Sequence, residues 1–184
     1  EETPEAIRLS VPIIKEIIRA YRIPILEVAG YEADDVIGTL ATEAGRQGII
    51  TYMMTPDKDY GQLVSDKVFM YRPKHTGGFE VMGVDEVKAK FDIQSPAQVI
   101  DMLGLMGDSS DNIPGCPGVG EKTAQKLIAE FGSIENLLEH TDQLKGALKT
   151  KVETNREMIT FSKFLATIKI DVPIQLDMDS LVRE

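Results

Sequence analysis

Seven carboxylates fall in three short stretches of this chain: Glu32, Asp34 and Asp35 in Gly30-Tyr-Glu-Ala-Asp-Asp35, Asp57 and Asp59 in Thr55-Pro-Asp-Lys-Asp59, and Asp108 and Asp111 in Gly107-Asp-Ser-Ser-Asp-Asn112. The first two stretches directly follow apolar runs, Ile25–Val28 and Ile49–Met54, that read as strands. Ligands of open α/β sheets bind at the carboxyl ends of the strands. A fold that gathers like charges there needs a cation to hold them together. The chain has two histidines and one cysteine, so the available donors are hard oxygens, which select Mg²⁺ or Mn²⁺ over zinc. Several carboxylates together point to two ions, the arrangement that clamps the attacking and leaving oxygens of a phosphodiester. These residues predict a metal-dependent nuclease.

An acid near a helix start is ordinary, because it complements the helix dipole, and any one stretch alone reads as a solvated helix start. Three such stretches at comparable chain positions change the balance. Glu32 and Asp35 lie near one face of the first turn of a helix predicted over 33–46, whose buried stripe is Ala33, Val36, Ile37, Leu40, Ala41 and Ala44.

The remaining periodicity sets the organisation. Thr3 reads as an N-cap and Pro4 as the first residue of a helix reaching Arg22, with Ile7, Val11, Ile14, Ile18 and Tyr21 on one buried face. Strand 25–28, helix 33–46 and strand 49–54 then make a right-handed parallel βαβ unit. Segments 67–72 and 79–82, separated by His75-Thr-Gly-Gly78, predict a further strand pair. Helices are expected near 84–91, 96–106, 121–131 and 134–138, with a long one over 151–165 and a short extended segment over 168–176. The predicted fold is α/β: a partial parallel βαβ sheet layer over 1–83, a helical subdomain over 84–176, and a linker over 177–184.

Cys116 stands alone, so no intrachain disulfide forms, and no signal peptide or apolar span of about 20 residues is visible. A cytoplasmic protein without membrane contact is expected. The chain opens on Glu1 and reads as a piece of something longer. Its net charge of −10 does not exclude DNA: setting aside the seven clustered carboxylates leaves 23 of the 30 acids against 20 bases. Lys145, Lys149 and Lys151 form a run without an acid, and Lys122 and Lys126 lie one helical turn apart.

Gly115-Cys-Pro-Gly-Val-Gly-Glu-Lys-Thr123 invites a P-loop reading, but Glu121 separates the last glycine from the lysine and no strand feeds the turn. Either it is a plain connector, or it is a hairpin between two helices. In the second case Gly118, Val119 and Gly120 let the backbone approach a phosphate, which the helix start at Lys122 and Thr123 grips with help from Lys126. The nearby Asp108 and Asp111 favour the hairpin.

These motifs, in this order and spacing, closely resemble the 5' nuclease domains of bacterial DNA polymerases I, in the flap-endonuclease superfamily. The resemblance spans essentially the whole chain. It implies a PIN/flap-nuclease-like core, a helix-hairpin-helix element at 118–123, and a substrate of duplex DNA with a nick, flap or 5' overhang. It also implies a polymerase domain in the same parent chain, and a bacterial cytoplasm in which the protein meets the nucleoid. Glu32, Asp34 and Asp35 would serve a first ion, and Asp57, Asp59, Asp108 and Asp111 would share or hold the second. A potassium ion would sit on carbonyls near Cys116 and Val119. Backbone contacts of this kind position DNA without reading its sequence. Family members begin with strands that carry further aspartate ligands and with a basic helical arch. None of these precedes Glu1, so the piece by itself is expected to be an inefficient enzyme. Two other classes remain open: a duplex-DNA clamp whose acids are idle, which would bind without Mg²⁺, and a metal-dependent phosphatase, for which the hairpin has no use.

Overall fold

A computed structural model describes residues 3–74 and 76–182. Glu1, Glu2 and the turn's His75 lie outside the described residues, as do the tail's Arg183 and Glu184. The first helix, α1 (Glu5–Ala20), starts one residue later than its cap signal, with Pro4 at the N-cap. Its apolar stripe is not covered: no residue of α1 is buried, and Ile7 and Ile14 are 54% and 50% exposed. Periodicity establishes that a helix has an apolar face, not what packs against it.

The expected strand at 25–28 does not form. Ile25–Val28 joins no strand ladder among the described residues, and Leu26 is 41% exposed. Ile25, Leu26 and Val28 have strand propensity, yet a strand exists only as part of a ladder. The parallel pair forms later in the chain. β1 (Thr51–Met54) lies parallel to β2 (Val68–Pro73), with Thr51 opposite Val68 and Met54 opposite Tyr71. The crossover between them runs through a 3-10 helix, Lys58–Leu63. β3 (Phe79–Met82) closes the three-stranded sheet antiparallel to β2, as the strand-pair pattern predicted.

Helix α2 (Ala33–Arg46) has the predicted bounds and packs between the sheet and the chain's later segments. Its buried stripe is narrower than expected: Val36, Gly38, Ala41 and Ala44 face inward, while Ile37 is 39% exposed. Gly38 replaces Ile37 on that face because the 168–172 segment runs close by; a Cβ at Gly38 would lie 2.7 Å from Ile168 Cγ2.

The helical region follows with α3 (Val84–Phe91), α4 (Val99–Met106), α5 (Glu121–Phe131), α6 (Ile134–Glu139), α7 (Gly146–Thr154) and α8 (Arg156–Ala166). A 3-10 turn, Pro96–Gln98, leads into α4. α4 is the central post: Val99, Met102, Leu103 and Leu105 are fully buried, and Gly104 lets α6 and α8 close in. The apolar core is continuous from Met53 and Met70 on the sheet to Leu103 and Ile159 among the helices.

The long helix expected over 151–165 is two helices. Asn155 breaks it, and its Nδ2 donates to Lys151 O at 2.8 Å, satisfying a carbonyl at the end of α7. Segment 168–176 makes no strand; it is held to α2 instead, with Lys169 N donating to Asp35 Oδ1 and Val172 N to Thr39 Oγ1. The expected linker contains a one-turn helix, α9 (Met178–Leu181), capped by Asp177, and Leu176 and Leu181 line an apolar hollow against α2 and β1. No helix among the described residues is long and apolar enough to cross a membrane.

Candidate metal centre

Local turn chemistry fixes each acidic stretch. Glu32 occupies the N-cap position of α2 in extended conformation and is exposed, with Asp34 and Asp35 in the first turn behind it. Asp34 Oδ1 accepts from the buried Tyr60 hydroxyl at 2.7 Å, and Asp35 Oδ1 accepts from Lys169 N at 2.9 Å. After β1, Thr55 Oγ1 accepts from Asp57 N, and Asp57 Oδ1 accepts from Asp59 N at 3.0 Å, which starts the 3-10 helix. The third stretch is a pinched loop. Asp108 and Ile113 exchange backbone hydrogen bonds at 2.9 and 2.8 Å, and Asp108 Oδ1 accepts from Ser110 N. Gly107 and Gly115 cross at its neck with φ of +73° and +63°, so close that a Cβ on Gly115 would lie 2.3 Å from Gly107 N.

The three stretches converge. Glu32, Asp34, Asp35, Asp57, Asp59 and Asp111 line one cleft of about 350 Å³, walled by Ile113, Ala166 and Ile168. Asp108 joins from the side: one carboxylate oxygen each from Asp59, Asp108 and Asp111 lie within 4.8 Å of one another. Asp59 is only 8% exposed, and its Oδ1 has no hydrogen-bond partner; Lys58 Nζ, 3.9 Å away, is too distant to supply one. A buried carboxylate oxygen left unsatisfied is costly. Here it belongs to a residue whose carboxylate meets those of Asp108 and Asp111, a donor set that fits a hard divalent cation.

The electrostatics carry the same mark. Burial first, then repulsion from Asp57, pushes the Asp59 carboxyl up to about 7. Burial and the charges of Asp108 and Asp57 raise Asp111 as well. Burial acts in the same direction on Asp108, but the Lys58 ammonium and the Ser110 N–H outweigh it and hold that carboxyl below the usual range. Burial and the Asp34 carboxylate keep the Tyr60 phenol protonated far above its ordinary range.

Three residues of the site carry no role in the sequence reading. Lys58 ion-pairs with Asp108, and Tyr60 holds Asp34. Gln62 clamps the floor: its Nε2 donates to Asp59 O and Ala166 O, and its Oε1 accepts from Ile168 N. Lys58 had a visible signal, a lone cation between two acids, whereas Tyr60 and Gln62 had none.

At the glycine-rich turn, Gly118 has φ +74° and Val119 is buried, its N–H donating to Cys116 O at 2.9 Å. Val119 therefore anchors the turn. α5 starts from Gly120 with no side chain capping it, and Lys122 and Lys126 are exposed on its first turns with Thr123 half-buried between them. Lys151 reaches across from α7 to donate to Gly118 O, and Lys149 pairs with Glu153 at 3.9 Å.

Comparison with known proteins matches the chain in two parts. A model of the N-terminal resolvase-like domain of 5'-3' exonucleases matches residues 1–92, and one of the 5'-3' exonuclease C-terminal SAM fold matches residues 94–184. The chain is 45% identical over 183 residues to DNA polymerase I of Bacillus subtilis (strain 168) and 43% identical over 183 residues to that of Bacillus caldotenax. Each match covers 98% of this chain and 21% of the relative, so the chain spans about a fifth of the length of the curated relatives it matches. The flap endonuclease of bacteriophage T5, in a complex with DNA and metal ions, shares the fold with a TM-score of 0.74 at 21% identity over 90% of this chain and 62% of that one. With both halves matched by the two domain models in order, the chain belongs to the 5'-3' exonuclease family.

Proposed function

We propose that the chain is the 5' nuclease module of a bacterial DNA polymerase I. It hydrolyses phosphodiesters in duplex DNA carrying a nick, flap or 5' overhang, using two Mg²⁺ or Mn²⁺ ions, beside the polymerase domain of its parent protein at the nucleoid. The observation that carries this reading is the convergence of three acidic stretches around the partnerless Oδ1 of Asp59. Asp57, Asp59, Asp108 and Asp111 hold one ion and most of the affinity, and Glu32, Asp34 and Asp35 serve the other. Such ions polarise a phosphoryl oxygen and activate water. The chain's own part is to fix the carboxylates and to keep Asp59 dry. The hairpin at Gly118, Val119 and Gly120, with Lys122, Thr123 and Lys126, grips backbone phosphates without sequence preference, and a potassium ion on its carbonyls belongs to the same reading.

Two measurements test it. Mn²⁺ uptake, followed by calorimetry, is expected in the wild type and lost in Asp59→Asn with Asp108→Asn. Fluorescence anisotropy of a flapped duplex at constant ionic strength is expected to show tighter binding when Ca²⁺ is added. A chain that binds duplex equally well with and without divalent ions, and takes up no Mn²⁺, is a passive clamp and overturns the nuclease reading.

A further inference from the structure

Lys58 brings a cation of its own into the acidic cleft. It lies between Asp57 and Asp59 in sequence, yet its ammonium reaches across to ion-pair with Oδ2 of Asp108 in the third stretch. Asp108 has two carboxylate oxygens: Ser110 N takes Oδ1, and Lys58 takes Oδ2. Lys58 thus occupies the Asp108 oxygen that accepts no backbone hydrogen bond, the one a divalent ion would find least encumbered. An ammonium and a divalent ion cannot share that oxygen, because like charges in contact repel strongly in a half-buried site. The lysine can leave. Its side chain is 34% exposed, and it is a compact charge on a flexible four-carbon stem.

We propose that Lys58 is a built-in competitor of the metal: it neutralises Asp108 while no divalent ion is present and swings to solvent when the ion takes that oxygen. This rests on the metal reading above. The cleft then folds with its acids in place before any ion arrives, and it loads by exchange. The exchange weakens apparent metal affinity, since the competent form is only the fraction in which Lys58 has left.

The test is a double-mutant cycle on Mn²⁺ binding, read by electron paramagnetic resonance of the free ion. Lys58→Met is expected to tighten Mn²⁺ binding by about 10-fold or more, and Lys58→Arg, which keeps a cation on Asp108, to stay near the wild type. In an Asp108→Asn background the gain from Lys58→Met is expected to shrink to less than about 2-fold, which separates competition for one oxygen from a general change in charge. A second measurement needs no variant: acetylation of Lys58 in the wild-type chain, mapped by mass spectrometry, is expected to rise several-fold on saturation with Mn²⁺. Equal gains in both backgrounds, no gain from Lys58→Met, or labelling indifferent to Mn²⁺ would each overturn the competitor role while leaving the metal reading intact. A wild-type chain that takes up no Mn²⁺ overturns both.

Discussion

Replacing Asp59 by asparagine should stabilise the metal-free protein, against the usual outcome of altering a buried polar residue. Its carboxyl is held at about 7 in the fold against an ordinary 3.8, so between those values the folded state binds a proton that the unfolded state has released. Stability then falls as pH rises through that window. Holding the carboxyl at about 7 rather than 3.8 amounts to roughly 4 kcal/mol of lost stability once both states are ionised. Asparagine has the same shape, carries no charge, and offers N–H donors to Asp108 and Asp111. We expect Asp59→Asn to be more stable than the wild type by about 2–4 kcal/mol at pH 8 in EDTA, and by less than about 1 kcal/mol at pH 4. Urea denaturation across pH 4–8 measures both. Added Mn²⁺ should reverse the order at pH 8, because only the wild type gains binding energy. Parallel pH curves for the two proteins in EDTA, or a less stable variant at pH 8, would refute the reasoning.

Other perturbations separate positions that look alike in sequence. Gly107→Ala puts a Cβ 2.6 Å from Ile113 O at positive φ and should cost at least about 3 kcal/mol in urea denaturation. Gly118→Ala meets only the mobile end of Lys151 and should cost about 1 kcal/mol; equal costs would contradict the pinched-loop account. Tyr60→Phe removes the hydroxyl that holds Asp34 and should lower stability by about 1–2 kcal/mol; an unchanged melting temperature means that bond contributes nothing in solution. Lys122→Ala should reduce the dependence of duplex-DNA affinity on salt by about one unit of logarithmic slope, and an unchanged slope removes the hairpin from DNA binding.

The bounds of helix α2 were legible because their signals are local: Asp34 and Asp35 in its first turn, apolar spacing along it, and Gly48 past its end. The supposed strand at 25–28 was not, since strand formation depends on a partner that no four-residue window contains. The break at Asn155 was present in the sequence as a residue that competes with helical hydrogen bonding, but it was masked by apolar periodicity on both sides. The acids of the site were legible because clustered like charge has few explanations. Their partners were not: Tyr60 meets Asp34 from 26 residues away, and Gln62 meets Ile168 from 106. Such pairings are products of packing.

The site's electrostatic strain is unevenly distributed, and that makes its metal affinity sensitive to pH in one direction. Asp35, Asp57 and Asp108 each have an oxygen held by a backbone N–H, from Lys169, Asp59 and Ser110 respectively. Those bonds fix the carboxylates, and at Asp108 the Ser110 N–H also favours the charged form. Asp59 Oδ1 has no such bond, and its burial leaves two ways to relieve it, a proton or a metal ion. The two exclude each other. Apparent Mn²⁺ affinity should therefore climb by up to about 10-fold per pH unit below 7, where Asp59 must first be deprotonated, and level off above it. Mn²⁺ titrations from pH 5.5 to 8.5 test this. Affinity that is flat below pH 7, or that keeps climbing well above it, would mean that Asp59 is not the group exchanging its proton for the ion.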